Sequence, residues 1–244
     1  MATIAVYSMK GGVGKTTLAV NLAWSAATQS ARRTLLWDLD PQGGASFLIG
    51  DGSANRDTAQ SVFAKDVAPE KLIRPSTVRG LDLLAADISL RALDRFLFTL
   101  GKKKRLARLL EALAQDYDRV ILDCPPGLTE ISEQVMRAAD LILSPVIPSP
   151  LSERALDEIV AFVDRQGGPH APILPVFSMV DRRRALHREA LARRPDWPVI
   201  PMASAVEQMA VHRAPVGSFA ASSLAGQSFS KLWKGVERKL TKVK

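Results

Sequence analysis

The chain has 244 residues, 47% of them apolar, and a formal net charge of +8 at neutral pH. That length suits one sizeable domain, and no stretch approaches the roughly 20 uninterrupted apolar residues needed to span a bilayer. A lone cysteine, Cys124, excludes an intrachain disulfide and points to a reducing cytoplasm, and the first residues lack the layout of a secretory signal.

The first predicted strand is Ile4–Tyr7, and residues 10–17 follow it as Lys-Gly-Gly-Val-Gly-Lys-Thr-Thr, leading into a helical pattern over Thr16–Thr28. A strand, a glycine loop and a helix N-terminus form the arrangement that holds nucleotide phosphates. Gly11, Gly12 and Gly14 let backbone N–H groups close around a phosphate that any Cβ would obstruct, with Val13 and Thr17 completing the loop. Lys15 would reach the β- and γ-phosphates, the Thr16 hydroxyl would ligate Mg²⁺, and the helix adds its positive dipole end. The usual P-loop spacing fails at its first glycine, where Met9 stands, and an additional lysine, Lys10, lies beside it.

The next strand, Thr34–Trp37, runs into Asp38-Leu-Asp40-Pro-Gln. Ligands sit at the carboxyl ends of strands in a parallel α/β sheet, so both carboxylates should face the phosphates, holding Mg²⁺ waters or orienting an attacking water. Gly50–Asp57 reads as a surface loop, and Leu81–Ala85 as a strand followed by one long helix over Leu90–Gln115. Strand Arg119–Leu122 ends at Asp123, a Walker B pattern whose hard carboxylate suits Mg²⁺. Cys124 after it reads as a small buried residue, and His170, His187 and His212 show no ligand or triad spacing.

Helix Glu130–Ala138, strand Leu141–Ile147, helix Ser152–Gln166, strand Ile173–Phe177, helix Ala185–Ala192, strand Pro198–Ile200 and helix Phe219–Lys239 complete the chain. The strands are continuously apolar rather than alternating, which indicates a sheet covered on both faces. The expected fold is a doubly wound α/β P-loop NTPase, one domain over residues 1–244, with a mostly parallel sheet of seven or eight strands flanked by helices.

Basic residues cluster in three places. Arg182, Arg183, Arg184, Arg188, Arg193 and Arg194 fall within 13 residues; Lys102–Arg105 and Arg108 form a second run; Lys231, Lys234, Arg238, Lys239, Lys242 and Lys244 form the third. Such charge suits a polyanion, either nucleic acid or an anionic membrane surface, while the plain alternative is a solvated Arg-rich exterior. The stripe Phe229, Leu232, Trp233, Val236, Leu240, Val243 would either cover the sheet or lie in a membrane interface.

Lys10-Gly-Gly-Val-Gly-Lys15-Thr16 resembles the deviant Walker A motif of the ParA/MinD family of P-loop ATPases. The resemblance spans essentially the whole chain and is strongest at residues 8–17, 34–44 and 118–127. It implies ATP and Mg²⁺ as ligands and a homodimer in which Lys10 reaches the partner's nucleotide. It also implies that Asp40 positions the hydrolytic water, that Asp38 lies near the metal, and that Cys124–Gly127 forms switch II. Pro201 and Met202 would border adenine, although Met202-Ala203 replaces a polar residue common in relatives. The family counterpart of Arg182–Arg194 faces DNA. The implied activity is slow, partner-stimulated ATP hydrolysis by a dimer that grips non-specific DNA and partitions or positions a cargo through an unidentified adaptor protein. The implied setting is cytoplasmic and nucleoid-associated. A MinD-like membrane cycle through the C-terminal helix is the alternative. The lone Cys124 argues against the family branch that carries metal clusters on paired cysteines, and Lys10 against a monomeric small-molecule kinase. With the first strand so near the start, the chain is expected to be a short form without a helix-turn-helix.

Overall fold

The computed structural model describes residues 1–53, 57–64, 67–100, 104–166 and 170–243. Lys102, Lys103, Lys244 and part of the expected loop at 50–57 lie outside them.

Eight strands form one sheet: β1 Ala2–Val6, β2 Thr34–Asp38, β3 Ile73–Pro75, β4 Leu81–Leu84, β5 Arg119–Asp123, β6 Leu141–Val146, β7 Ile173–Val180 and β8 Val199–Pro201. Their order is β3-β4-β2-β5-β1-β6-β7-β8, parallel throughout except where β3 runs antiparallel to β4 at the edge. Strand β3 has no counterpart among the expected strands. At three residues, with Arg74 and Pro75 exposed, it carries no apolar run, and its position at a sheet edge tolerates the proline.

The helices are α1 Lys15–Gln29, α2 Gly44–Ile49, α3 Ala59–Ala64, α4 Leu93–Leu100, α5 Arg105–Ala112, α6 Glu130–Ala138, α7 Pro150–Gln166, α8 Ala185–Arg193, α9 Ser204–Glu207, α10 Met209–His212, α11 Val216–Phe219 and α12 Leu224–Val243. The single helix expected over Leu90–Gln115 is instead α4 and α5, flanked by 3₁₀ turns at Ile88–Ala92 and Leu113–Gln115.

Every residue of β1, β2, β5 and β6 is buried. Alternate side chains feed two separate cores, as the period-two geometry of a strand requires. Ile4, Val6, Leu36 and Ile121 pack with α1, α2 and α12, whereas Ala5, Tyr7, Leu35, Trp37, Val120 and Leu122 pack with α3 to α7.

The stripe on α12 belongs to the first core. Phe229, Leu232, Trp233, Val236 and Leu240 are all buried. The Trp233 indole N–H donates to Ser30 Oγ at 2.8 Å, and Glu237 pairs with the buried Arg119 at 2.7 Å. At these five residues the apolar face that the membrane alternative requires is already covered by the protein. No helix among the described residues is long and apolar enough to cross a membrane.

One member of the run Lys102–Arg105 changes meaning. Arg105 is buried, and its guanidinium donates to the carbonyls of Val62 (2.6 Å) and Phe63 (2.9 Å) near the end of α3. It is a strut between helices rather than part of a basic surface.

Replacing Trp233 with alanine should cost about 3–5 kcal/mol, the usual range for a large buried aromatic. Denaturant unfolding measures it, and a loss below about 1 kcal/mol would mean that α12 is only loosely applied to the sheet.

Candidate active site

The site forms where β1 gives way to its loop. Gly12 and Gly14 adopt left-handed backbone, with φ of 68° and 90°. A Cβ on Gly14 would also stand 2.9 Å from Ser178 Oγ at the end of β7, so glycine is required there for shape as well as conformation. Gly14 caps α1 without a side-chain hydrogen bond, and the first turn contains no acidic residue. The leading N–H groups of a 15-residue helix are thereby left to an anion. Lys15 is buried and curls back to donate to the Lys10 carbonyl at 3.1 Å. Burial lowers its pKa, and the charges of Asp123 and Asp40 partly restore it.

Two carboxylates stand level with the loop. Asp38 and Asp123 are register partners at the carboxyl ends of β2 and β5, and Val6 of β1 is level with Asp123. Both are fully buried. Asp38 is well supported: Ser46 donates through its N–H (2.9 Å) and hydroxyl (2.8 Å) to Oδ2, and the Asp40 N–H donates to Oδ1 at 3.1 Å. Burial still outweighs these bonds and pushes its pKa up to about 6. Asp123 has no such support, since neither carboxylate oxygen has a hydrogen-bond partner. Its pKa lies well above the ordinary value, through burial first and the neighbouring Asp38 charge second. The Thr16 hydroxyl and the Lys15 charge pull the other way without offsetting burial.

A buried polar atom without a partner is rare, and two on one ionisable group mark a place kept for a cation. The donor set is hard oxygen: the carboxylates of Asp123 and Asp38 and the hydroxyl of Thr16, which suits Mg²⁺ rather than a softer metal. Thr16 is held close to this set, since a Cβ on Gly44 at the start of α2 would meet its Oγ1 at 3.3 Å.

Asp40 sits half-buried just past Asp38, with Oδ1 accepting the Gln42 N–H at 2.9 Å and its carbonyl accepting the Gly43 N–H at 2.8 Å. Val13 is buried and Thr17 half-buried in the loop and first turn. Lys10 leaves the loop, and its ammonium donates to Ser152 Oγ (3.2 Å) in the first turn of α7. Gly127, at φ 87°, ties the segment after Asp123 back to the loop: its N–H donates to the Met9 carbonyl (3.0 Å), and its carbonyl accepts the Tyr7 hydroxyl (2.9 Å). Cys124 is fully buried with its thiol pKa pushed up, which makes it inert. The buried His187 accepts the Asp181 N–H, and the three histidines play no part in the site.

The remaining expected residues lie further out. Pro201 ends β8 and Met202 follows it, where Met202 is exposed and its N–H donates to the Val180 carbonyl at 3.0 Å. Both line a cavity of about 990 Å³ along the β8 edge, which is not lined by any residue of the glycine loop. The arginines are all exposed but divide into two groups. Arg182, Arg183, Arg184 and Arg188 gather at the start of α8, while Arg193 and Arg194 lie at its end, roughly 13 Å away at 1.5 Å per residue. Arg183 is committed to Asp181 and Arg193 to Glu153; Arg182, Arg184, Arg188 and Arg194 have no ion-pair partner among the described residues.

Three contributors escape sequence reasoning: Ser46, which seats Asp38; Asn21, which braces α1; and Met179, whose left-handed φ of 55° sits beside Gly14. A serine eight residues beyond Asp38 at the start of a helix is a faint signal for the first. Nothing in the sequence marks the other two.

The AAA domain family matches residues 1–167. The chain is 39% identical over 145 residues to the sporulation initiation inhibitor protein Soj of Bacillus subtilis, covering 59% of this chain and 57% of that relative. It is 32% identical over 197 residues to the chromosome partitioning protein ParA of Caulobacter vibrioides, covering 78% and 73%. The chain thus spans little more than half the length of Soj and nearly three quarters of this ParA. An ATP complex of McdA from Cyanothece superposes with a TM-score of 0.80 at 23% identity, over 99% of this chain and 96% of that one, which is a likeness of fold. Cobyrinic acid a,c-diamide synthase from Mycobacterium smegmatis, with a bound ATP analogue and magnesium, superposes with a TM-score of 0.79 at 28% identity, over 98% and 94%. Proteins named for different tasks share this fold, so the reaction has to be argued from the site.

The raised carboxyl pKa values have a signed consequence. Between the unfolded value of 3.8 and about 6, the folded protein holds more protons than the unfolded chain, so stability falls as pH rises through that interval. Asp123→Asn should therefore stabilise the ligand-free protein by about 1–3 kcal/mol at pH 7, a gain that shrinks as pH is lowered. Thermal unfolding at pH 5 and pH 7 measures both; a variant less stable than wild type at pH 7 would show that the carboxylate is paired.

Proposed function

Because the chain belongs to the ParA/MinD family of P-loop ATPases, we propose that it binds ATP with Mg²⁺, dimerises around the nucleotide and hydrolyses it slowly. In the ATP state it grips DNA without reading sequence and so partitions or positions a cargo. Asp123 carries the nucleotide part of this reading. A carboxyl group with both oxygens unbonded in the interior is costly to ionise, and a cation bound beside it offsets that cost.

Bound ATP and Mg²⁺ would supply a phosphoryl group whose charge is neutralised for in-line attack. The chain's own residues do the rest. Gly11, Gly12, Val13 and Gly14 present backbone N–H groups, and Lys15 has only to release the Lys10 carbonyl to bring its ammonium to bear. Thr16 and Asp123 hold the metal, with Asp38 kept in place by Ser46. Asp40, anchored by its turn to Gln42 and Gly43, would orient water. Lys10 points out of its own loop toward α7, which fits a residue meant for a second subunit.

The surface reading rests on the +8 charge and on the four unpaired arginines around α8. Exposed Lys231, Lys234 and Arg238 on α12 add to it. Dimerisation would double this footprint, which links DNA affinity to the nucleotide. The relatives named for chromosome partitioning support the cargo role. An adaptor protein that stimulates hydrolysis and a nucleoid-associated location complete the reading.

Asp40→Ala should hold the dimer in its ATP state and bind random duplex DNA with ATP but not ADP. Its affinity should drop by about 0.9 log units per neutralised phosphate for each tenfold rise in salt. Nucleotide-independent binding, or none, would contradict the DNA reading. Lys10→Ala should lower stimulated hydrolysis by on the order of 10³-fold, the lower range for a charge supplied in trans. Full activity in that variant would remove the dimer from the mechanism.

A further inference from the structure

We propose that Arg213 is a positioning residue: it pins the far end of α2 and thereby fixes the seat of Asp38 beside the metal position. The inference rests on the magnesium–nucleotide reading above and goes beyond it.

Arg213 lies just after α10, 163 to 166 residues away in sequence from what it touches. Its Nε donates to the Phe47 carbonyl (3.0 Å) and its Nη2 to the Gly50 carbonyl (2.8 Å). The guanidinium carbon stands 5.2 Å from the centroid of the Phe47 ring. These carbonyls belong to the end of α2, where the helix supplies no partners of its own. From there the connection runs inward through short contacts. The Gly50 N–H donates to the Ser46 carbonyl at 2.9 Å, and a Cβ at Gly50 would collide with that same oxygen. Ser46 in turn gives its N–H and hydroxyl to Asp38 Oδ2, while its Oγ also accepts the Ala86 N–H at 2.9 Å. At its other end, α2 touches Thr16 through Gly44. The six-residue helix is a short block with Arg213 at one end and two prospective metal-site residues at the other.

A second tie shows that the Arg213 segment is itself anchored. Asn21, fully buried on α1, accepts the Val216 N–H at 2.9 Å and donates to Met209 Sδ (3.2 Å) and the Thr17 carbonyl (2.8 Å). Residues 209–216 are therefore strung between the helix behind the glycine loop and the helix that seats Asp38. Arg213 holds this post in left-handed backbone, φ 47°, a conformation that side chains other than glycine adopt at a cost. It is also exposed. Its two carbonyl partners would be served by water in its absence, so its contribution to stability is small and its effect is on position.

The test compares Arg213→Ala with Arg213→Gly. The glycine variant suits the left-handed backbone and removes the same guanidinium, so folding is not in question. Three quantities are read: the Mg²⁺ concentration that half-saturates ATP hydrolysis, the affinity for ADP without Mg²⁺, and the amide exchange rate of Ser46 in the nucleotide-free protein. Both variants should raise the half-saturating Mg²⁺ about tenfold, as loss of a supporting shell around a metal does, with ADP affinity changed by less than about threefold. Ser46 exchange should accelerate in both, and Arg213→Lys should recover part of each effect. Unchanged Mg²⁺ dependence and unchanged Ser46 exchange in the glycine variant would overturn the proposal. If the wild-type protein bound no nucleotide, the ATPase reading would fail by itself, and Ser46 exchange would still decide whether Arg213 holds α2.

Discussion

Two carboxylates side by side at the ends of adjacent buried strands are the constraint around which the rest of this protein is arranged. Asp38 and Asp123 lie in register, fully buried, one heavily hydrogen-bonded and the other with no partner. Like charges that close repel, and burial penalises each, so both hold protons more tightly than ordinary carboxyls. A fold tolerates this when a ligand bound later repays it, and the surroundings indicate which ligand. A glycine loop with two left-handed residues, an uncapped helix start and a buried lysine all converge on the same strand ends. The acidic pair and the basic loop are complementary halves of a site for a metal-bound polyphosphate.

The sheet does the placing. Parallel strands put the ends of β1, β2 and β5 at one level, and the two cores hold those strands from both faces. The α12 helix contributes by closing the first core rather than by offering a membrane face. The arginines around α8 and the outward lysines of α12 form basic surface, to which the exposed Lys104 and Arg108 add. Around the site the loops are tied to one another by single hydrogen bonds, such as Gly127 to Met9 and Lys10 to Ser152. Contacts of this kind exchange readily when charge arrives, which suits loops that must rearrange around a nucleotide.

The glycine loop and both carboxylates could be read from the sequence because each depends on local chemistry. Glycine is needed where φ is positive or a neighbouring chain comes close, and an aspartate that follows a buried apolar run falls at a strand end. The inner strands were legible for the same reason: each carries a short run of consecutive apolar residues without alternation, such as Leu35–Trp37 and Val120–Leu122, set against a turn or a carboxylate. What escaped was non-local or short. Strand β3 owes its existence to β4, not to its own three residues. Lys104, in non-helical backbone just before α5, stands in a stretch whose helical pattern looks continuous. Arg105 looks like one more member of a lysine run until α3 is seen to end beside it. Arg213, Asn21 and Ser46 act across folds of the chain that spacing cannot reveal.

The most direct test of the central claim is to count protons when a magnesium nucleotide binds. Calorimetric titration with Mg²⁺ and ADP at pH 6, in two buffers of different ionisation enthalpy, gives the number released. If Asp38 and Asp123 hold protons until a cation arrives, binding should release close to one proton per site at pH 6, and fewer at pH 8, where Asp38 is already ionised. Equal heats in both buffers at pH 6 would mean that the carboxylates are already ionised without the metal, and the account built on their unpaired burial would be wrong.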